Sequence, residues 1–180
     1  MIIVLDTETT GLTFHPKAPA NMQPRVCEFG AVFLDSASGD ECGSVSQLIN
    51  PEIPIPANVT KIHGITDEMV SDAPTFGQWA PHFFAILGHG SVVVAHNLPF
   101  DKHILRYECQ RYNLDFGAHW PAREFDTIDL YREAWGKDMK LSALYELVTG
   151  RKMEKAHRVM PDVNALVEII RHDRLYEVMR

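Results

Sequence analysis

Apolar residues fall along this chain in two rhythms. Short continuous runs come first: "IIVL" (2–5), "RVCEFGAVFLD" (25–35), "GSVSQLIN" (43–50) and, later, "SVVVAHN" (91–97). Runs of this length, rich in β-branched residues and bounded by turn formers, predict strands. The first is expected to end at Asp6, and Gly30 inside the second marks a bulge or a close approach. "SASGDE" (36–41) predicts a turn, so the second and third strands form a hairpin. The three prolines of "PEIPIP" (51–56) forbid regular structure, and "ANVTKIHGIT" and "DEMVSDAP" read as short helical turns.

The second rhythm is helical. Apolar spacing predicts helices over 75–88, with Pro81 a kink or boundary, and over 98–113, with Asn97 as its N-cap. "EFDTIDLYREAW" holds a fifth strand and a short helix, and 140–150 is a helix closed by Gly150. A last helix is predicted over 161–179, with Pro161 in its first turn. A β-meander followed by alternating helices and strands defines an α/β class with a mixed sheet. Strands as apolar as 91–95 require cover on both faces. The chain reads as a single domain over 1–180; the proline-rich stretch 13–24 is a loop between the first two strands.

Composition narrows the functional classes. Of 180 residues, 46% are hydrophobic and 23% charged, ordinary for a globular domain. No apolar run approaches the ~20 residues of a membrane span, and the N-terminal run is too short for a signal peptide. Neither membrane attachment nor export is expected. Cys27, Cys42 and Cys109 form no CxxC pair, which argues against a disulfide framework or a zinc site. A reducing, cytoplasmic setting fits. The formal net charge of -7 excludes a protein that grips duplex DNA by bulk electrostatics.

The acids hold the candidate chemistry. Residues i and i+2 of a strand share a face, so Asp6 and Glu8 project together. Two such charges need a cation, a shared proton or exposure. Asp101 and Asp162 each fall in a first helical turn, where a carboxylate also favours the helix dipole. His157 lies five residues before Asp162. Each residue alone has an ordinary structural role. Together they gather where strands one and four end, the usual ligand edge of an open α/β sheet. Three or four carboxylates without a base suit Mg²⁺ or Mn²⁺ rather than zinc. Two such ions about 4 Å apart serve phosphodiester hydrolysis, and a nearby histidine can take the water's proton.

The pattern resembles the DnaQ-like, DEDDh-type 3′-5′ exonucleases, which include the proofreading epsilon subunit of bacterial DNA polymerase III. "VLDTETTGL" is similar to the first motif of that family, "VVAHNLPFD" to the second and "HRVMPD" to the third. "NPEIPIPANVTKIHGIT", "FDTIDL" and "KLSALYELVTG" also fall where that family has similar elements. The resemblance implies a ribonuclease H-like fold with a five-stranded mixed sheet. It implies two divalent ions, Mg²⁺ or Mn²⁺, held by Asp6, Glu8 and Asp162 with Asp101 completing the set, and His157 as general base. It places Thr9, Leu12, His63 and Asn97 near the 3′-terminal nucleotide, Leu12 as a wedge. For Leu12 core packing is the alternative; for His63 it is a helix end before Gly64.

The implied reaction releases nucleoside 5′-monophosphates from single-stranded 3′ ends, DNA favoured over RNA. A polymerase or replication partner fits the family. With the last helix predicted to reach residue 179, such a partner is expected to dock elsewhere than on a tail like that of epsilon. Lys152, Lys155 and Arg158 are candidates to meet the phosphate backbone. Two positions depart from the third motif: Val159 stands where alanine is usual, and Pro161 where a polar residue is usual. The alternatives are an exoribonuclease of the same family, a catalytically inactive nucleic-acid-binding subunit, and an unrelated acidic hydrolase.

Overall fold

A computed structural model describes residues 1–14, 18–153 and 157–179. Lys155 and residues 15–17 of the proline-rich loop lie outside the described residues. The order of elements is β1 (Ile2–Thr9), β2 (Val26–Leu34), β3 (Glu41–Leu48), α1 (Ala57–His63), α2 (Asp67–Val70), α3 (Phe76–His89), β4 (Val92–Ala95), α4 (Leu98–Arg111), β5 (Arg123–Asp126), α5 (Thr127–Trp135), α6 (Leu141–Thr149) and α7 (Val159–His172). The five strands form one mixed sheet in the order β3-β2-β1-β4-β5. β1 pairs antiparallel with β2 and parallel with β4. The predicted hairpin of β2 and β3 is present.

Strand parity sorts the core into two layers. Ile3 and Leu5 of β1 pack with Phe29, Ala31 and Val93 against Phe76, Trp79 and Phe83 of α3 and Ile104 and Leu105 of α4. Ile2 and Val4 point the other way, with Val32, Leu34, Val92 and Val94, onto Val163, Leu166 and Ile170 of α7. Covering both faces explains the unbroken apolar runs. Among the described residues no helix is long and apolar enough to cross a membrane.

Several boundaries differ from the sequence pattern. β1 does not stop at Leu5: pairing with β2 carries it to Thr9. Its pairing with β4 covers only Ile2–Val4, so beyond Val4 that side of β1 is open. Pro81 is no boundary, because α3 runs through it. A capping box of Thr75 and Gln78 starts that helix, and its buried stripe offsets the single backbone bond that proline removes. Asn97 precedes α4 in the left-handed conformation (φ 72°), and its side chain makes no capping bond. The last helix spans 159–172, ending at His172 rather than 179. Pro161 is tolerated because the first intrahelical bond of α7 is donated by Asp162, so a proline before it loses nothing.

Gly30 is a close approach rather than a bulge. It pairs with Asp6 in regular register, and a Cβ placed on it would stand 2.1 Å from Cγ1 of Val159. The first turn of α7 therefore rests on the bare backbone of β2 beside Asp6. Gly30→Ala should destabilise the protein by about 1–3 kcal/mol through overpacking, read by urea unfolding. Adding Val159→Ala, which removes the clashing methyl, should recover part of the loss.

Candidate active site

The open half of β1 carries the acids. Asp6 and Glu8 continue the face of Ile2 and Val4, the face on which α7 lies. The first turn of α7 adds Asp162. One carboxylate oxygen from each of Asp6, Glu8 and Asp162 can be chosen so that all lie within 4.8 Å of one another. Asp101 is not in that trio. It comes from the first turn of α4 on the opposite face, is 2% exposed, and accepts a hydrogen bond from the Thr7 hydroxyl at 2.7 Å. Thr7 has the parity of Ile3 and Leu5. The sheet edge thus gathers acids from both helical layers.

The environment of these carboxyls is hostile to charge. Burial is the first cause in every case. Asp6 is raised well above the ordinary range, its repulsion by Asp101, Glu8 and Asp162 adding to burial. Burial, with Asp162 and Glu28 adding, lifts Glu8 to about 8. Burial raises Asp101 to about 7 and Asp162 to about 6. Oδ2 of Asp162 accepts the His157 backbone N–H at 3.1 Å, while its Oδ1 is buried with no hydrogen-bond partner. An orphaned buried carboxylate oxygen beside two more carboxylates is what an oxygen-coordinated divalent ion would satisfy. The donor set fits Mg²⁺ or Mn²⁺.

His157 is exposed and holds φ +68°, placed next to the trio by its bond to Asp162. Thr9, Leu12 and His63 line a cleft of about 720 Å³ that opens beside Glu8. Leu12 is 82% exposed, which rules out core packing. The Thr9 hydroxyl donates to the Gly11 carbonyl at 2.7 Å, bracing the turn that presents Leu12. His63 ends α1, with Gly64 as left-handed C-cap, and also faces the cleft. Its Nδ1 accepts the Ile65 N–H at 3.0 Å, and burial lowers its pKa. Asn97 does not line the cleft; its backbone N–H donates to Asp126.

Sequence reasoning missed four residues of this site. Thr7 is one. Glu28, buried on β2 opposite Glu8, pairs with Arg158 at 2.7 Å, so Arg158 is engaged within the protein rather than free for a phosphate. Phe14 and Met22 are the others, exposed side chains of the proline-rich loop that line the cleft. A lone Glu in the apolar run "VCEFGAVFL" was the available signal for Glu28.

Comparison with known proteins identifies the family. The exonuclease family matches residues 3–170. The epsilon subunit of DNA polymerase III from Pasteurella multocida is 31% identical over 172 residues, covering 93% of this chain and 65% of that subunit. The chain spans only 11% to 25% of the length of three other curated relatives. E. coli exonuclease I in complex with a dA16 oligonucleotide superposes with a TM-score of 0.80 at 20% identity, over 98% of this chain and 42% of that one. A 3′-exonuclease that recognises a histone mRNA stem-loop gives 0.75 at 17% identity, over 98% and 63%. At such identities the two structures establish the fold alone, a five-stranded mixed sheet flanked by helices. The chain belongs to the exonuclease family.

The raised carboxyls set a pH dependence. Between the ordinary carboxyl values of 3.8–4.5 and about 8, the metal-free folded state binds more protons than the unfolded chain. Its stability therefore falls as pH rises through that window. A divalent ion binds the ionised carboxylates and opposes the fall. In EDTA the Tm should drop between about pH 5 and about pH 8, and Mn²⁺ should raise it more at the higher pH. An Mn²⁺ effect equal at both pH values would contradict this arrangement.

Proposed function

We propose that the protein is a 3′-5′ exonuclease that shortens single-stranded DNA, releasing nucleoside 5′-monophosphates. The observation that supports it is one continuous feature: a carboxylate trio with an orphaned oxygen at the mouth of an apolar cleft. Asp6, Glu8 and Asp162 hold two divalent ions, Mg²⁺ or Mn²⁺, and Asp101, braced by Thr7, completes the acidic set. Bound there, the ions supply charge stabilisation to the phosphate and acidify the attacking water. His157 takes that water's proton as general base.

The cleft itself supports a single strand. Its described lining contains no Lys or Arg, so it is built for bases rather than phosphates. Leu12, Phe14, Met22, Ile53 and Ile62 are large apolar side chains, all exposed, and all line it. Bases unpaired from a complement can lie against such a wall; a duplex cannot present theirs. The likeness to epsilon subunits supports association with a polymerase in the cytoplasm.

Digestion of 5′-labelled single-stranded DNA and RNA with Mg²⁺, Mn²⁺ or EDTA tests the reading. A metal-dependent ladder shortening from the 3′ end is expected, stronger on DNA. Asp6→Asn should abolish it and His157→Ala should slow it about 10²- to 10⁴-fold. Phe14→Ala should raise KM on the order of tenfold with little change in kcat, since base stacking is lost. Folded protein that digests neither strand with either metal would refute the activity.

A further inference from the structure

The segment that carries His157 joins the last helix at one ion pair, and that pair is built into the sheet. Glu28 is 3% exposed on β2. Its Oε1 accepts from Arg158 Nη2 at 2.7 Å and its Oε2 from Arg158 Nε at 2.9 Å, a two-bond fork that fixes direction as well as distance. Oε2 also lies 3.4 Å from the Val159 N–H. Arg158 is the N-cap residue of α7 and directly follows His157. On its other side Glu28 stands opposite Glu8 in the β1–β2 register.

His157 is thus bracketed. Its own N–H is held by Asp162, and the next side chain is held by Glu28. Its φ of +68° is a conformation that a non-glycine residue keeps only where its surroundings enforce it. Stability is a poor reason for this pair, because desolvating the buried Glu28 carboxylate offsets much of what a guanidinium that stays 39% exposed returns to it. What the fork provides is placement.

We infer that the Glu28–Arg158 pair is a positioning device for His157, setting where the imidazole stands relative to the carboxylate trio. This rests on the reading of His157 as general base. On this reading both act through the backbone at the start of the helix rather than on the reacting atoms.

The test compares Arg158→Gln, Arg158→Lys, His157→Ala and the double variant His157→Ala/Arg158→Gln. Each is assayed for kcat and KM on a single-stranded oligonucleotide and for Mn²⁺ binding by calorimetry, with folding checked by circular dichroism. Arg158→Gln should lower kcat about 100-fold, the scale of a misplaced catalytic group, while KM and Mn²⁺ affinity stay within about threefold. Lysine at 158 should restore part of kcat. In the double variant Arg158→Gln should cost nothing beyond His157→Ala, because the two act as one unit. A full, additive loss in the double variant overturns the inference, as does a drop in Mn²⁺ affinity that accounts for the lost rate. Full activity in His157→Ala refutes the base reading itself, and this inference with it, a pattern distinct from additivity. Should Arg158→Gln fail to fold, Glu28→Gln, which keeps volume and one acceptor oxygen, serves the same comparison.

Discussion

Four carboxyl groups crowd the open end of β1, and their mutual repulsion in a partly buried place governs the design around them. Nothing in a folded chain tolerates such a cluster without compensation. The compensation present is modest and includes a hydroxyl from Thr7 to Asp101, a backbone N–H from His157 to Asp162, and the Arg158 charge near Glu8. Oδ1 of Asp162 receives none of it. The remaining deficit is the size of a job for divalent cations, which links the protein's electrostatics to its proposed chemistry.

The cluster exists because two helices can reach the same edge from opposite faces. α4 approaches on the face of Leu5 and Thr7, α7 on the face of Val4 and Asp6. The approach of α7 depends on Gly30, the one position where β2 offers no side chain opposite Asp6. The shortness of β4, which pairs with β1 only as far as Val4, leaves the space that the acids occupy. Core packing and site geometry are therefore the same arrangement seen from two sides.

The acidic net charge ceases to conflict with a nucleic-acid substrate once the cleft is considered. Its wall is apolar, and part of that wall is a loop anchored from below. Arg111 is almost wholly buried, and its guanidinium donates to the carbonyls of Ala20, Gln23 and Pro24 while pairing with Glu108. That cation is spent on bracing the turn that carries Met22, not on a phosphate. Affinity gained from stacked bases needs little net positive charge.

Much of this was legible along the chain. Strand alternation placed Asp6 and Glu8 on one face, first-turn positions marked Asp101 and Asp162, and the run-and-turn pattern announced five strands and their hairpin. These depend on period, spacing and local propensity, which act over a few residues. What the chain alone could not show are contacts between distant positions. Thr7 meets Asp101 across 94 residues, and Glu28 meets Arg158 across 130. Pro81 inside an intact helix and the left-handed backbone of Asn97 go the same way, because buried stripes and neighbouring turns outweighed local preference. Sequence determined which residues are the candidates for the chemistry; only the packing of α4 and α7 onto the two faces of one sheet decided that they meet.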